Sequence, residues 1–264
     1  MNLSYSDVVL LEKKLRTNGG SKGDRLKMAD KDYLLLRTME CPVCGEKFKY
    51  PTVKASSSKL IGTDKDLRPI HDQLDVNKYD AIMCPTCGYA AITRYFEGVA
   101  DIQKKKIREK ICSGFKKRGT LPEEYSYDIA LEHYKMALLN AVVKEAKHSE
   151  LAYICLKISW IYRGIAEQTG QFSSRYPGIK ETEREFTEKA YQNFTEALGS
   201  ENFPMCGMDE TTVDFLLANL AEITGRYDDA GKLVSKILVS PSAPARIKDK
   251  ARDMKEELLD RKKE

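Results

Sequence analysis

Two copies of one pentapeptide, CPVCG at Cys41–Gly45 and CPTCG at Cys84–Gly88, set the terms on which this chain folds. Two thiolates separated by two residues grip one ion from a tight turn. Proline restricts that turn, and glycine accepts the positive φ that directs following amides towards sulfur. Two such turns complete a tetrahedron, so Cys41, Cys44, Cys84 and Cys87 are expected to bind one metal ion. The 39 residues between the knuckles, Gly45 through Met83, exceed the usual zinc-ribbon spacing and require an inserted hairpin or loop.

The ion expected is structural zinc, one Zn2+. Iron in a rubredoxin-like site uses the same four sulfurs and stands as the alternative. Duplication of the motif argues against a thioredoxin-like dithiol. Catalytic zinc keeps an open position, usually with His or Glu among three ligands, whereas four cysteines close the shell.

The chain has seven cysteines. That odd number, with an opening MNLSYSDVVLLEKKL too acidic for a signal-peptide core, argues against a disulfide framework and for a cytoplasmic protein. No uninterrupted apolar run approaches a membrane span. Cys112 and Cys155 read as small buried hydrophobes on helices, and Cys206, in FPMCGMDE, as the more exposed one. His71, His133 and His148 are isolated in sequence. The chain contains no His-Glu-x-x-His, no phosphate-binding Gly-Lys-Ser/Thr loop and no Gly-x-Ser-x-Gly elbow, so no catalytic residue is nominated.

Residues 1–30 contain a short amphipathic stretch and then GGSKGD, and read as a flexible lead-in. Residues 31–98 form the zinc-binding module, where short apolar segments (DYLLLRTM, KFKYPTVKA, YDAIM, YAAITRYF) alternate with turn residues, as in a small sheet. A basic connecting helix follows over 99–119, and 120–264 is helical. There the apolar stripes Ala130, Tyr134, Ala137, Leu138, Ala141 and Leu151, Cys155, Ile158, Ile165 recur at helical spacing. So do Phe186, Ala190, Phe194, Ala197 and Val213, Leu217, Leu220, Ile223. Three helices share a small-x3-large-x2-small pattern: Ala130/Tyr134/Ala137, Ala190/Phe194/Ala197 and Ala230/Val234/Ile237. That is the mark of paired, closely approaching helices of tetratricopeptide type, although an ordinary helical bundle also places alanines and aromatics this way. The fold class expected is therefore α+β, mostly α: a small zinc-ribbon or rubredoxin-like β module followed by an antiparallel, tetratricopeptide-like helical domain.

The formal net charge of +4 falls to about +2 once one zinc and four thiolates are counted. Its distribution says more. Lys104, Lys105, Lys106, Arg108, Lys110, Lys116, Lys117 and Arg118 oppose only Asp101 and Glu109 within 99–119. Of these, Lys104, Lys105, Lys106 and Arg108 are the candidates for phosphate contact in a nucleic-acid-binding reading. Against it, the stretch lacks the interleaved aromatics that stack bases, and a solvated helix face explains the same charges.

CPVCGEKFKYPTV, the serine-rich segment with TDKDL, YDAIMCPTCGYAA and DETTVDFLLANLAEITGRYDDA together resemble the bacterial family catalogued as domain of unknown function 2225. The resemblance spans most of residues 33 to 240 and implies a zinc-ribbon-like module fused to tetratricopeptide-like helices, with no established activity. The functional expectation is a non-catalytic, zinc-stabilised scaffold whose helices engage an unidentified protein or peptide, away from any membrane. Replaced by iron, the same module would be a rubredoxin-like electron carrier.

Overall fold

The computed structural model describes residues 30–169 and 177–261. The expected lead-in, 1–30, lies outside the described residues except for Asp30. The fold is α+β and mostly α, and the described chain divides into two compact units. The first runs up to Gly62 and from Pro69 to Ala146; the second comprises Thr63–Arg68 and the chain from Lys147 onward.

In the first unit each knuckle is itself a hairpin turn. Strands β1 (Leu34–Glu40) and β2 (Lys47–Val53) pair antiparallel from Leu34↔Val53 to Glu40↔Lys47, and Cys41–Gly45 joins them. Strands β5 (Ala81–Met83) and β6 (Ala90–Ile92) pair from Ala81↔Ile92 to Met83↔Ala90 around Cys84–Gly88. Between them β3 (Leu60–Thr63) and β4 (Pro69–His71) form the inserted hairpin that the spacing demanded. In place of the single small sheet expected, the described residues form three two-stranded pairs. Phe96 packs on Tyr89 and Phe48, with ring centroids 4.9 and 6.1 Å away, making an aromatic core beside the knuckles.

Helix α1 (Asp101–Ile107) runs into one widened turn, Arg108–Cys112, and stops before Ser113-Gly114, short of the expected end at residue 119. Helix α2 (Tyr127–Val143) is capped by Ser126, whose hydroxyl accepts the Ile129 N–H. Ala130, Tyr134, Ala137, Leu138 and Ala141 are all buried, but the partner of this stripe is the β5–β6 hairpin rather than the next helix. For that reason the first unit extends to Ala146, well past residue 119, where the sequence placed the end of the connecting helix.

The second unit contains α3 (His148–Thr169), α4 (Ile179–Ser200), α5 (Glu210–Thr224), α6 (Tyr227–Val239) and α7 (Ala245–Arg261), each packed on the next. Phe186, Ala190, Phe194 and Ala197 are buried, as are Val213, Leu217 and Leu220. Ile223, expected on the same stripe, is 39 % exposed because α5 ends one residue later at Thr224, after which Gly225, with a φ of +84°, turns the chain into α6. Ala218, Ala221 and Ala230 let α5 and α6 approach closely, while Phe215, Val234 and Ile237 fill the remaining space. Among the described residues no helix is long and apolar enough to cross a membrane.

Thr63–Arg68 is held in the second unit by ion pairs around Arg163. The Arg163 guanidinium donates to Asp64 Oδ2 (2.9 Å), Asp66 Oδ2 (2.8 Å) and Glu183 Oε1 (2.7 Å). Asp66 also accepts the Trp160 indole N–H at 3.0 Å, and Arg68 bridges Asp64 to Glu167. Burial raises the Asp64 pKa, but the guanidinium groups of Arg163 and Arg68 outweigh it and hold the carboxyl below its ordinary range.

Candidate metal centre

Both knuckles are built by the same local bonds. In the first, Gly45 N–H donates to Cys41 O at 2.8 Å and Cys41 N–H to Glu46 O at 3.0 Å; in the second, Gly88 N–H donates to Cys84 O at 3.0 Å and Cys84 N–H to Tyr89 O at 2.8 Å. Gly45 and Gly88 adopt φ of +77° and +76°, the left-handed conformation anticipated from the sequence. The amides of Val43 and Cys44 turn towards Cys41 Sγ, those of Thr86 and Cys87 towards Cys84 Sγ, and that of Tyr89 towards Cys87 Sγ.

The two turns bring the four sulfurs together. Cys41 and Cys87 are 3.7 Å apart, as are Cys44 and Cys84, and all four Sγ atoms lie within 4.8 Å of one another. Four thiolates at about 2.3 Å from one tetrahedral ion stand about 3.8 Å apart, so this cluster can hold a metal ion. Cys41, Cys84 and Cys87 are buried and Cys44 is exposed. No other group of three or more His, Cys, Asp or Glu side chains among the described residues has such geometry.

The donor chemistry also fits a cation. Thiols this close cannot all ionise unaided, because each thiolate opposes the next. Hydrogen bonds from Cys41 and then Cys87 draw Cys84 down to about 2. The bond to Cys84 pushes Cys41 up to about 12, and bonds to Cys112 and then Cys41 push Cys87 upward. A divalent ion removes that conflict by stabilising all four thiolates.

Residues outside the motif hold the knuckles in place. Arg108 Nε and Nη2 donate to Val43 O, inside the first knuckle, at 2.9 and 2.6 Å. Arg118 N–H donates to Pro85 O at 2.8 Å, and the Phe115 ring lies so close over Gly88 that a Cβ there would be 2.4 Å from it. From α2, fully buried Asn140 donates to Gly88 O at 3.1 Å and to Met136 O at 2.8 Å. Sequence reasoning missed these supports, although an asparagine inside the apolar run MALLNAVV was a readable signal that a buried backbone acceptor lay opposite.

Of the four nominated phosphate contacts, three have partners within the chain. Lys104 pairs with Asp101 at 2.9 Å, Lys106 with Glu145 at 2.5 Å, and Arg108 holds Val43; Lys105 is exposed. Cys206 is 7 % exposed, and its thiol donates to Ser149 O at 3.1 Å, so the exposed position expected for it is corrected. Cys155 is fully buried, and burial pushes its thiol up to about 12. Cys112 is only partly buried, which departs from the buried hydrophobe expected. His133 is buried in α2, where the Tyr125 ring meets it edge-on at 4.8 Å.

The sequence model of a bacterial family described as "Uncharacterized protein conserved in bacteria (DUF2225)" matches residues 34–258. No curated protein and no solved structure matches the chain.

Proposed function

The chain belongs to this DUF2225 family, and we propose that it is a non-catalytic scaffold in which one structural Zn2+ rigidifies the first unit while the helical unit engages a protein or peptide partner. The observation that carries this reading is the closed set of four sulfur donors, paired across the knuckles as Cys41 with Cys87 and Cys44 with Cys84, each pair at 3.7 Å. Among the described residues no His or carboxylate joins the set, so nothing in it keeps a coordination position open for a substrate. Zinc is favoured over iron because it is the more frequent occupant of such sites.

The partner surface proposed lies in the helical unit. A cleft of about 190 Å³ there places apolar Phe215 and Met254 beside charged Lys65, Lys250, Asp253 and Glu257, a mixture suited to an extended peptide with one apolar anchor. The test is a pull-down with the full, zinc-loaded chain. It should recover a saturable protein partner, and Asp253→Lys with Lys250→Glu should abolish recovery while leaving the fold intact. Folded bait that captures nothing saturable, or binds equally well after both charge reversals, would contradict the reading.

A further inference from the structure

The cleft of the helical unit is lined by one face of α5, carrying Phe215 and Asn219 one turn apart, and one face of α7, carrying Lys250, Asp253, Met254 and Glu257. Most of its charges already have a neighbour. Lys65 pairs with Glu257, Asp64 accepts from Arg163 and Arg68, and Lys250 Nζ stands 5.9 Å from the centre of the Phe215 ring. Two acceptors remain. Asn219 is 2 % exposed, and its Nδ2 donates to Phe215 O in its own helix at 2.7 Å. That bond fixes the carboxamide and leaves Oδ1 without a donor among the described residues, although a buried amide oxygen ordinarily has one. Asp253, exposed and lining the same cleft, has no ion pair or hydrogen bond among the described residues. Two acceptors beside the apolar Phe215 and Met254 call for a ligand that carries N–H donors and an apolar group together.

We propose that the cleft binds the free amino terminus of a protein or peptide whose first residue is apolar, an inference that rests on the partner reading above. An α-ammonium carries three N–H donors on the same carbon as the first side chain. One goes to Asn219 Oδ1 and another to the Asp253 carboxylate, while the side chain lies against Phe215 and Met254. A lysine side chain brings the same cation at the end of an unbranched stem, with no apolar group beside it. An acylated terminus keeps one N–H and loses the charge that answers Asp253.

The experiment titrates the full, zinc-loaded, isotope-labelled chain with leucyl-alanine amide, methionyl-alanine amide and phenylalanyl-alanine amide, each beside its N-acetylated twin, and with N-acetyl-lysine amide. Amide and carboxamide shifts are followed by NMR. At least one free dipeptide should give saturable shifts around Asn219 and Asp253, its acetylated twin and the lysine derivative binding roughly tenfold more weakly or worse. Binding should fall as pH rises through about 8, where an α-amino group loses its proton. Asn219→Leu and Asp253→Asn should each weaken it severalfold; Asp253 is exposed, so its variant serves even where Asn219→Leu disturbs the helix. Equal binding of a free dipeptide and its acetylated twin, preference for the lysine derivative, or no change in Asp253→Asn overturns the proposal. Failure of all three free dipeptides overturns it too and leaves the scaffold reading to the pull-down, which uses no defined terminus.

Discussion

At the scale of single residues the two knuckle glycines are chemically alike and energetically different. A Cβ on Gly45 meets nothing within 4 Å, so Gly45→Ala is expected to cost only the left-handed strain of about 1 kcal/mol. At Gly88 the same strain is joined by collision with the Phe115 ring at 2.4 Å, and overpacking adds roughly 1–3 kcal/mol more. Urea denaturation of both variants checks this, and equal losses would show that Phe115 yields freely. A second residue sets the acid limit of the first unit. Burial holds the His133 imidazole down at about 4, against 6.5 for the group in water. As pH falls below 6.5 the unfolded chain takes up a proton that the folded chain refuses, so stability present above 6.5 is lost down to about 4. The loss amounts to about 3 kcal/mol. His133→Phe should flatten that part of the stability profile relative to the native chain, a comparison that cancels acid effects on the metal centre. The clustering of Cys41, Cys44, Cys84 and Cys87 was legible in the sequence because two CPxCG motifs leave few alternatives. Arg108, Phe115 and Asn140 were not, because their roles depend on which backbone atoms lie opposite them, and that is decided by the insertion and by α2 rather than by local spacing.

At the scale of elements, helical periodicity identified the buried faces of α2 through α6 nearly residue by residue, since a 3.6-residue stripe is a local property. It failed at Ile223, where a C-terminal glycine ended the helix, and it assigned α2 to the helical region although its apolar face covers the β5–β6 hairpin. Periodicity states which face is buried, not against what. The Thr63–Arg68 loop carries the largest energetic prediction at this scale. Replacing Arg163 leaves Asp66, 1 % exposed, without its guanidinium partner, and removing one partner of a buried ion pair costs on the order of 3–5 kcal/mol. Arg163→Met should therefore lower the stability of the second unit by about that amount. Arg163→Lys should recover little, since one ammonium cannot serve three carboxylates in a planar fork. Hydrogen exchange localised to 148–261 is the readout, and protection unchanged in both variants would show the network to be dispensable.

For the whole molecule, the account divides stability between a unit that depends on its metal and a unit with its own helical core. Structural zinc contributes on the order of 10 kcal/mol to small sites, so Cys84→Ser should raise hydrogen exchange across 34–143 while 148–261 keeps its protection. Uniform loss across both would show that the units are not separately stable. Mixed α+β class and the metal-first, helices-second order followed from the sequence, whereas the unit boundary at Ala146 did not, because it reflects packing between distant segments. The central claim is tested most directly by elemental analysis of freshly purified protein with an absorbance spectrum, beside Cys84→Ser. The account predicts one zinc per chain, no visible chromophore, and no zinc in the variant. Native protein without metal, or metal retained in full by Cys84→Ser, would contradict the four-cysteine site itself, and one iron with a red chromophore would contradict the zinc assignment and make the first unit a rubredoxin-like electron carrier.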